Sequence, residues 1–160
     1  MILVLMGVTG SGKSTVGEIL GRQLGWRFFD GDDFHPAANI EKLRRGVALD
    51  DKDREPWLQA IRECISAMID RRDSAVIACS ALKRSYRQIL EISEEVVFVY
   101  LNADMDLVRE RLKKRTGHFM NPDLLQSQFD TLEEPHDALS VDASLPPAEI
   151  VRQIRDQLAL

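Results

Sequence analysis

Cysteine is scarce in this chain, which has only Cys64 and Cys79 among 160 residues. They lie far apart and lack the close spacing of metal ligands or a disulfide framework. Both read as reduced core residues of a protein from a reducing compartment. Long hydrophobic runs are missing as well. The opening MILVLM is apolar, but no basic stretch precedes it, and it falls far short of the roughly 20 residues a spanning helix needs. It reads as a buried first strand, with a cytoplasmic location as the expectation. An excess of positive charge is also absent: 21 Lys and Arg face 26 Asp and Glu, a net charge of −5. Such a molecule repels polyanions, so neither nucleic acid nor an anionic membrane is expected as a partner. Internal repeats, linkers and low-complexity segments do not occur.

What is present suits one globular domain over residues 1–160. Hydrophobic residues make up 44% and charged residues 29%, and a chain of this size can bury about two-thirds of its unfolded surface. Short apolar or β-branched runs mark strands at Ile2–Met6, Arg27–Phe29, Ala75–Cys79, Val96–Leu101 and Leu139–Val141. Helical patterns alternate with them. Lys13–Leu24 places Val16, Ile19, Leu20 and Leu24 on one stripe, and Pro56–Arg71 does the same with Trp57, Leu58, Ile61, Ile65, Met68 and Ile69. Pro56 suits a first helical turn. Asp104 is placed to cap Met105–Lys114, Asn121 and Pro122 open a helix through Leu132, and a last helix follows Pro146 and Pro147. Several strands are apolar without alternation, as when helices cover both sheet faces. The fold class is therefore α/β with a parallel sheet.

GVTGSGKS, from Gly7 to Ser14, completes the pattern G-x-x-x-x-G-K-[ST], with an apolar strand running in and an amphipathic helix running out. This is the P-loop arrangement, in which backbone N–H groups turn inward around phosphate oxygens at the positive end of a helix. Gly7, Val8, Thr9, Gly10, Ser11, Gly12, Lys13, Ser14 and Thr15 are the nucleotide-binding candidates. Lys13 is expected at the β- and γ-phosphates of ATP, and the Ser14 hydroxyl at Mg²⁺. The NKxD string that reads guanine is absent. The third strand ends Ala78-Cys79-Ser80 rather than in an aspartate, so the second acidic ligand of Mg²⁺ has to come from elsewhere.

The stretch FFDGDDFHP, Phe28 to Pro36, supplies carboxylates just past the second strand, on the sheet edge where ligands of open α/β folds sit. Asp30 is read as the metal-side carboxylate and Asp32 as the base that orients or deprotonates an acceptor hydroxyl. Asp33 is a helix cap or a supporting group. His35 is open between a hydroxyl contact and a structural hydrogen bond. Arg54 is placed to pair with a carboxylate ligand, or with Asp50, Asp51 or Asp53 on the surface. In CSALKRSYR, Cys79 to Arg87, Ser80 lies at the ligand edge and Lys83 is within reach of a substrate anion. Arg111 and Arg115 share a helix face and lead into Thr116-Gly117-His118-Phe119, a candidate lid over about residues 112–125 that would exclude water during transfer. The turn Asp142–Pro147 walls an adenine pocket or is a plain loop. Trp57 and Phe129 read as core or interface anchors.

These stretches together closely resemble the small P-loop gluconokinases, relatives of shikimate kinase and the nucleoside monophosphate kinases. GVTGSGKST is generic. DGDDFHP, DREPWL, CSALK and LLQSQFDTLEEP are the specific segments, and the likeness spans Ile2 to Pro147. Thr9, Phe34 and Ala48 depart from residues common in that family without removing a reactive group. The resemblance implies transfer of phosphoryl from ATP to the 6-hydroxyl of D-gluconate. It also implies a nucleoside-monophosphate-kinase-like, five-stranded parallel sheet in the order 2-3-1-4-5 with a lid, and a homodimer. It adds weight to Arg54 and Lys83 as substrate-anion contacts and to Arg111 and Arg115 on the nucleotide side, with Arg115 among the catalytic groups. The rivals are a kinase for another small molecule on the same scaffold and a nucleotide sensor without transferase activity.

Overall fold

The computed structural model describes residues 1–114 and 121–160. Five strands, β1 (Ile2–Met6), β2 (Arg27–Asp30), β3 (Ala75–Ala78), β4 (Val96–Asn102) and β5 (Leu139–Asp142), form one sheet in the order β2-β3-β1-β4-β5. Every pairing is parallel, with Val4 beside Ile77 on one side and Phe98 on the other. The expected class and strand order are both found. All five residues of β1 are fully buried, which explains its lack of polar alternation: each face has its own cover. Leu3 and Leu5 face a layer built with α1 (Lys13–Leu24), α5 (Met105–Lys114) and α7 (Pro147–Leu158). Ile2, Val4 and Met6 face Trp57, Leu58, Ile61 and Ile65 of α3 (Asp51–Asp70) and Tyr86 and Leu90 of α4 (Arg84–Leu90). The remaining helices are α2 (Ala37–Arg44) and α6 (Pro122–Thr131).

Local signals set most boundaries. Asp104 accepts from the Leu107 N–H at 2.8 Å and Asn121 from the Asp123 N–H at 2.9 Å, the caps expected of them. The start of α3 differs from expectation. Pro56 does not open this helix but lies inside it. A capping box begins it earlier: Asp50 accepts from the Asp53 N–H at 2.8 Å, and the Asp53 carboxylate accepts from the Asp50 N–H at 3.0 Å. Two reciprocal bonds at the helix end outweigh the one backbone bond that the proline removes a turn later. Helix α2 was not anticipated, because its one buried residue is Asn39 and it carries no apolar stripe to read. Asp30 rather than Asp33 caps the 3-10 turn Gly31–Phe34, by accepting from the Asp32 N–H.

Candidate active site

The loop from Gly7 to Ser14 runs from the end of β1 into α1. Gly12, at φ 102, is the N-cap of α1 and offers no side-chain cap, and no acidic residue lies in the first turn. A helix start with neither a side-chain cap nor an acidic residue suits an anion, and the helix dipole adds to the pull. Lys13 Nζ donates to the Gly7 and Val8 carbonyls at 3.0 and 2.9 Å, which draws the ammonium against the start of the loop. Ser11 is fully buried, and its Oγ finds no hydrogen-bond partner among the described residues. An orphaned polar atom inside a ring of amides fits a site for phosphate oxygens. Val8 is itself buried in the core, so only its backbone is offered to a ligand. Thr15 is exposed on α1.

Ser14 Oγ donates to Asp30 Oδ2 at 2.7 Å. The two expected metal ligands are therefore neighbours, one from the phosphate loop and one from the end of β2. The other oxygen of Asp30 accepts the Asp32 amide at 3.0 Å. Gly31 lets this turn press on β3, because a Cβ there would stand 2.3 Å from the Ala78 carbonyl oxygen. A hydroxyl and a carboxylate are hard oxygen donors suited to Mg²⁺ that keeps phosphate oxygens and water as its other ligands. Among the described residues no group of three or more His, Cys, Asp or Glu side chains comes together as a metal cage.

Asp32 projects outward with 88% of its side chain exposed, and its Oδ1 stands 4.0 Å from His35 Nε2. His35 is packed, its ring stacked on Trp57 at 4.5 Å, and its Nδ1 lies 3.3 Å from Asn39 Nδ2. An amide nitrogen can only donate, so Nδ1 accepts and Nε2 carries the proton that faces Asp32. Burial lowers the His35 pKa below its usual value and the Arg54 charge lowers it further, while the Asp32 carboxylate opposes them. The ring is thus neutral at pH 7. The structural hydrogen bond open to His35 is present, to Asn39, while its Nε2 stays on the side of Asp32. Asn39 also donates to the Asp53 carbonyl at 2.7 Å, and Trp57 Nε1 to the Gly31 carbonyl at 2.7 Å, so the acidic turn is fastened to α3 from both sides. Trp57 is a core anchor, 2% exposed.

Beyond His35 the lining turns basic. Arg54 Nη1 donates to the Tyr86 hydroxyl at 3.3 Å, and its guanidinium lies 5.6 Å from that ring's centre. Lys83 Nζ lies at the same distance from the ring and donates to both oxygens of Asp51 at 2.8 and 3.1 Å. The Tyr86 hydroxyl also donates to Asp51. The bonds from Lys83 and then Tyr86 hold the Asp51 carboxyl below its ordinary pKa, and the bond to Asp51 raises that of Lys83. Two cations, one carboxylate and a phenol form this cluster, and two chain segments supply them, the first turn of α3 and the start of α4. Ser80 supplies its carbonyl to the Gly7 N–H at 3.2 Å, which ties the β3 loop to the phosphate loop. Next to it, Ala81 is held at φ 42, a left-handed conformation that a non-glycine residue adopts only under constraint. Cys79 lies below, fully buried, its thiol pushed up to about 12 by desolvation, with the charges of Lys13, Asp32 and Asp30 all reaching it.

Arg111 donates to the Gly10 and Ser11 carbonyls at 3.4 and 3.1 Å and to the Ala143 carbonyl at 2.6 Å. It joins the phosphate loop to the turn after β5. Arg115, and residues 115–120 of the expected lid, lie outside the described residues. Sequence reasoning missed Tyr86, Asn39 and Gln128, and it offered Asp51 as a surface partner of Arg54, whereas Asp51 pairs with Lys83. Gln128 accepts the Thr9 N–H at 2.7 Å through its Oε1. Only the spacing of Asp50 and Asp53 hinted at how the start of α3 is placed.

A parallel sheet in this order, with a phosphate loop after β1 and acids after β2, defines a P-loop phosphotransferase fold. A family model described as Shikimate kinase matches residues 9–159. The thermoresistant gluconokinase of Escherichia coli (strain K12) is 46% identical over 155 residues, covering 94% of this chain and 89% of that protein. A probable gluconokinase of Xenopus tropicalis is 39% identical, covering 99% and 93%. The crystal structure of a gluconokinase from Sinorhizobium meliloti 1021 superposes with a TM-score of 0.90 at 45% identity, covering 98% of this chain and 90% of that one. The chain belongs to the gluconokinases of the shikimate kinase family.

Proposed function

We propose that this chain transfers the γ-phosphoryl group of ATP to the 6-hydroxyl of D-gluconate, giving 6-phospho-D-gluconate and ADP. One observation carries the reading beyond family membership. The lining runs from the phosphate loop through Asp30, Asp32 and His35 to the paired cations Arg54 and Lys83. That polarity fits an acceptor with a hydroxyl at one end and a carboxylate at the other. The loop amides and Lys13 bind and neutralise the phosphate tail. Ser14 and Asp30 would hold Mg²⁺, which would neutralise phosphate charge when bound. Asp32 takes the proton of the 6-hydroxyl as the new O–P bond forms and the bond to the ADP oxygen breaks in line. Arg54 and Lys83 bind the acid end, with Ser80 and His35 along the way, and the ring of His35 steadies Asp32. Arg111 holds the nucleotide side, and Arg115 is assigned to the phosphoryl in flight on family resemblance alone.

The same reading takes residues 1–160 as one catalytic unit, acting in the cytoplasm as a homodimer without nucleic-acid or membrane partners. Sedimentation equilibrium would show a mass near that of one chain if the dimer assignment is wrong. The central test is ADP release across a panel of gluconate, other aldonic acids, shikimate and nucleosides. Gluconate is expected to give the highest kcat/KM. Turnover of shikimate or a nucleoside in its place would overturn the acceptor assignment.

A further inference from the structure

Helix α6 touches both halves of the site. From its middle, Gln128 Oε1 accepts the Thr9 N–H of the phosphate loop at 2.7 Å. Just past its end, Glu133 is bonded twice to the loop that carries Lys83: its N–H donates to the Leu82 carbonyl at 2.8 Å, and its Oε2 accepts the Arg84 N–H at 2.7 Å. Both acceptor assignments follow from chemistry, since a backbone N–H can only donate. The piece between is stiff. Gln128 to Thr131 is helix, the Leu132 N–H closes on the Gln128 carbonyl at 3.0 Å, and Leu132 packs against the cores on both sides of the sheet. Leu124 and Leu125 anchor the preceding turn in the interior. The Lys83 loop is equally fixed on its inner side, where buried Arg87 donates to the Ala81 and Leu82 carbonyls at 3.1 and 3.2 Å. A groove of about 460 Å³ separates Lys83 from the α6 residues Gln126, Ser127, Asp130 and Thr131, so this helix also walls the acceptor side.

We propose that Gln128 and Glu133 are positioning residues: they make α6 a two-point brace that sets the distance between the phosphate loop and the Lys83 loop. This rests on the kinase reading above. Neither side chain takes part in bond making. Their effect is on alignment, and a reacting pair misplaced by about 1 Å loses on the order of 100-fold in rate. A brace fails when either end is released, so its two ends act as one unit and their losses do not add.

The test is steady-state kinetics on Gln128→Leu, Glu133→Leu, Glu133→Gln and the Gln128→Leu/Glu133→Leu double variant, with thermal unfolding to confirm that each folds. Each leucine variant should lower kcat by roughly 10- to 100-fold, with both KM values within about threefold of wild type. Glu133→Gln keeps an acceptor oxygen and should retain wild-type kcat even if the leucine variants are poorly folded. The double variant should be no slower than the slower single variant. Wild-type kcat in Gln128→Leu, multiplying losses in the double variant, or a change in KM alone would overturn the brace. Failure of the gluconate assignment would look different: the wild-type enzyme would ignore gluconate, and the same variants would be measured with whichever acid it phosphorylates.

Discussion

The two halves of the site are built on opposite principles. On the nucleotide side the ligand surface is mostly backbone, made by eight consecutive residues and a helix end, with Val8 and Ser11 buried beneath it. On the acceptor side it is mostly side chain, collected from the turn after β2, the first turns of α3 and the loop after β3. Backbone amides recognise any phosphate tail. Placed charges and hydroxyls can recognise one acceptor, so the proposed function puts specificity in the second half. The halves also differ in how they tolerate change: a backbone amide is removed only by proline, which also fixes the chain's φ, whereas each acceptor-side contact can be removed singly.

Single removals on the acceptor side therefore sharpen the contrast. The largest effect is expected from Asp32→Asn, which removes the proposed proton acceptor. kcat should fall by about 10² to 10⁴, while an ATP analogue binds with nearly unchanged affinity in calorimetry. Near-normal turnover would remove Asp32 as the base. Arg54→Ala should act on KM for the sugar acid, raising it roughly 10- to 100-fold, the usual range for a charge-assisted bond. An unchanged KM would mean that the acid end lies elsewhere. Trp57→Phe keeps the stacking on His35 but orphans the buried Gly31 carbonyl, at a cost of about 1–3 kcal/mol, readable in denaturant unfolding. Unaltered stability would show that the acidic turn does not depend on that bond.

Smaller effects test the electrostatics. Asp51→Asn releases Lys83 from an ion pair whose side chains are 30% and 65% exposed. A pair so exposed is weak, so KM for the acid should drop by no more than about fivefold. A rise in KM would instead make Asp51 a direct acceptor for the substrate's hydroxyls. The pH dependence of His35 is the subtlest. Its folded pKa lies below 6.5, so in acid the unfolded chain binds the proton first. Stability from the neutral, stacked ring is present above pH 6.5 and declines as pH falls through that value. Melting curves of wild type against His35→Gln should diverge least near pH 5.5 and most near pH 7.5. A constant gap would exclude a neutral buried imidazole.

Legibility in the sequence followed the same divide. Strand positions, their order through family likeness, the phosphate loop and the caps at Asp104 and Asn121 were all readable, because each depends on neighbours within a few residues or on unbroken apolar runs. The start of α3 is set by the reciprocal bonds of Asp50 and Asp53, while Pro56, a residue that also suits a first turn, lies inside the helix. Arg54 and Lys83 were weak candidates on residue type alone. Their joint meaning depends on Tyr86, whose ring lies near both and which nothing local marks out.

By itself the amino-acid order determined a parallel α/β sheet, a helix-capped phosphate loop and an acidic turn at its edge, since periodicity and glycine placement act over short stretches of chain. Only the folded chain decided that Asp30 meets Ser14, that His35 is stacked and neutral, that Asp51 sits between Lys83 and Tyr86, and that α6 spans both loops. Those contacts join residues from 16 to 119 positions apart. Hydrogen bonds and charges act over a few ångströms of space, and the packing of β2 and α3 against β3 is what brings them within that range.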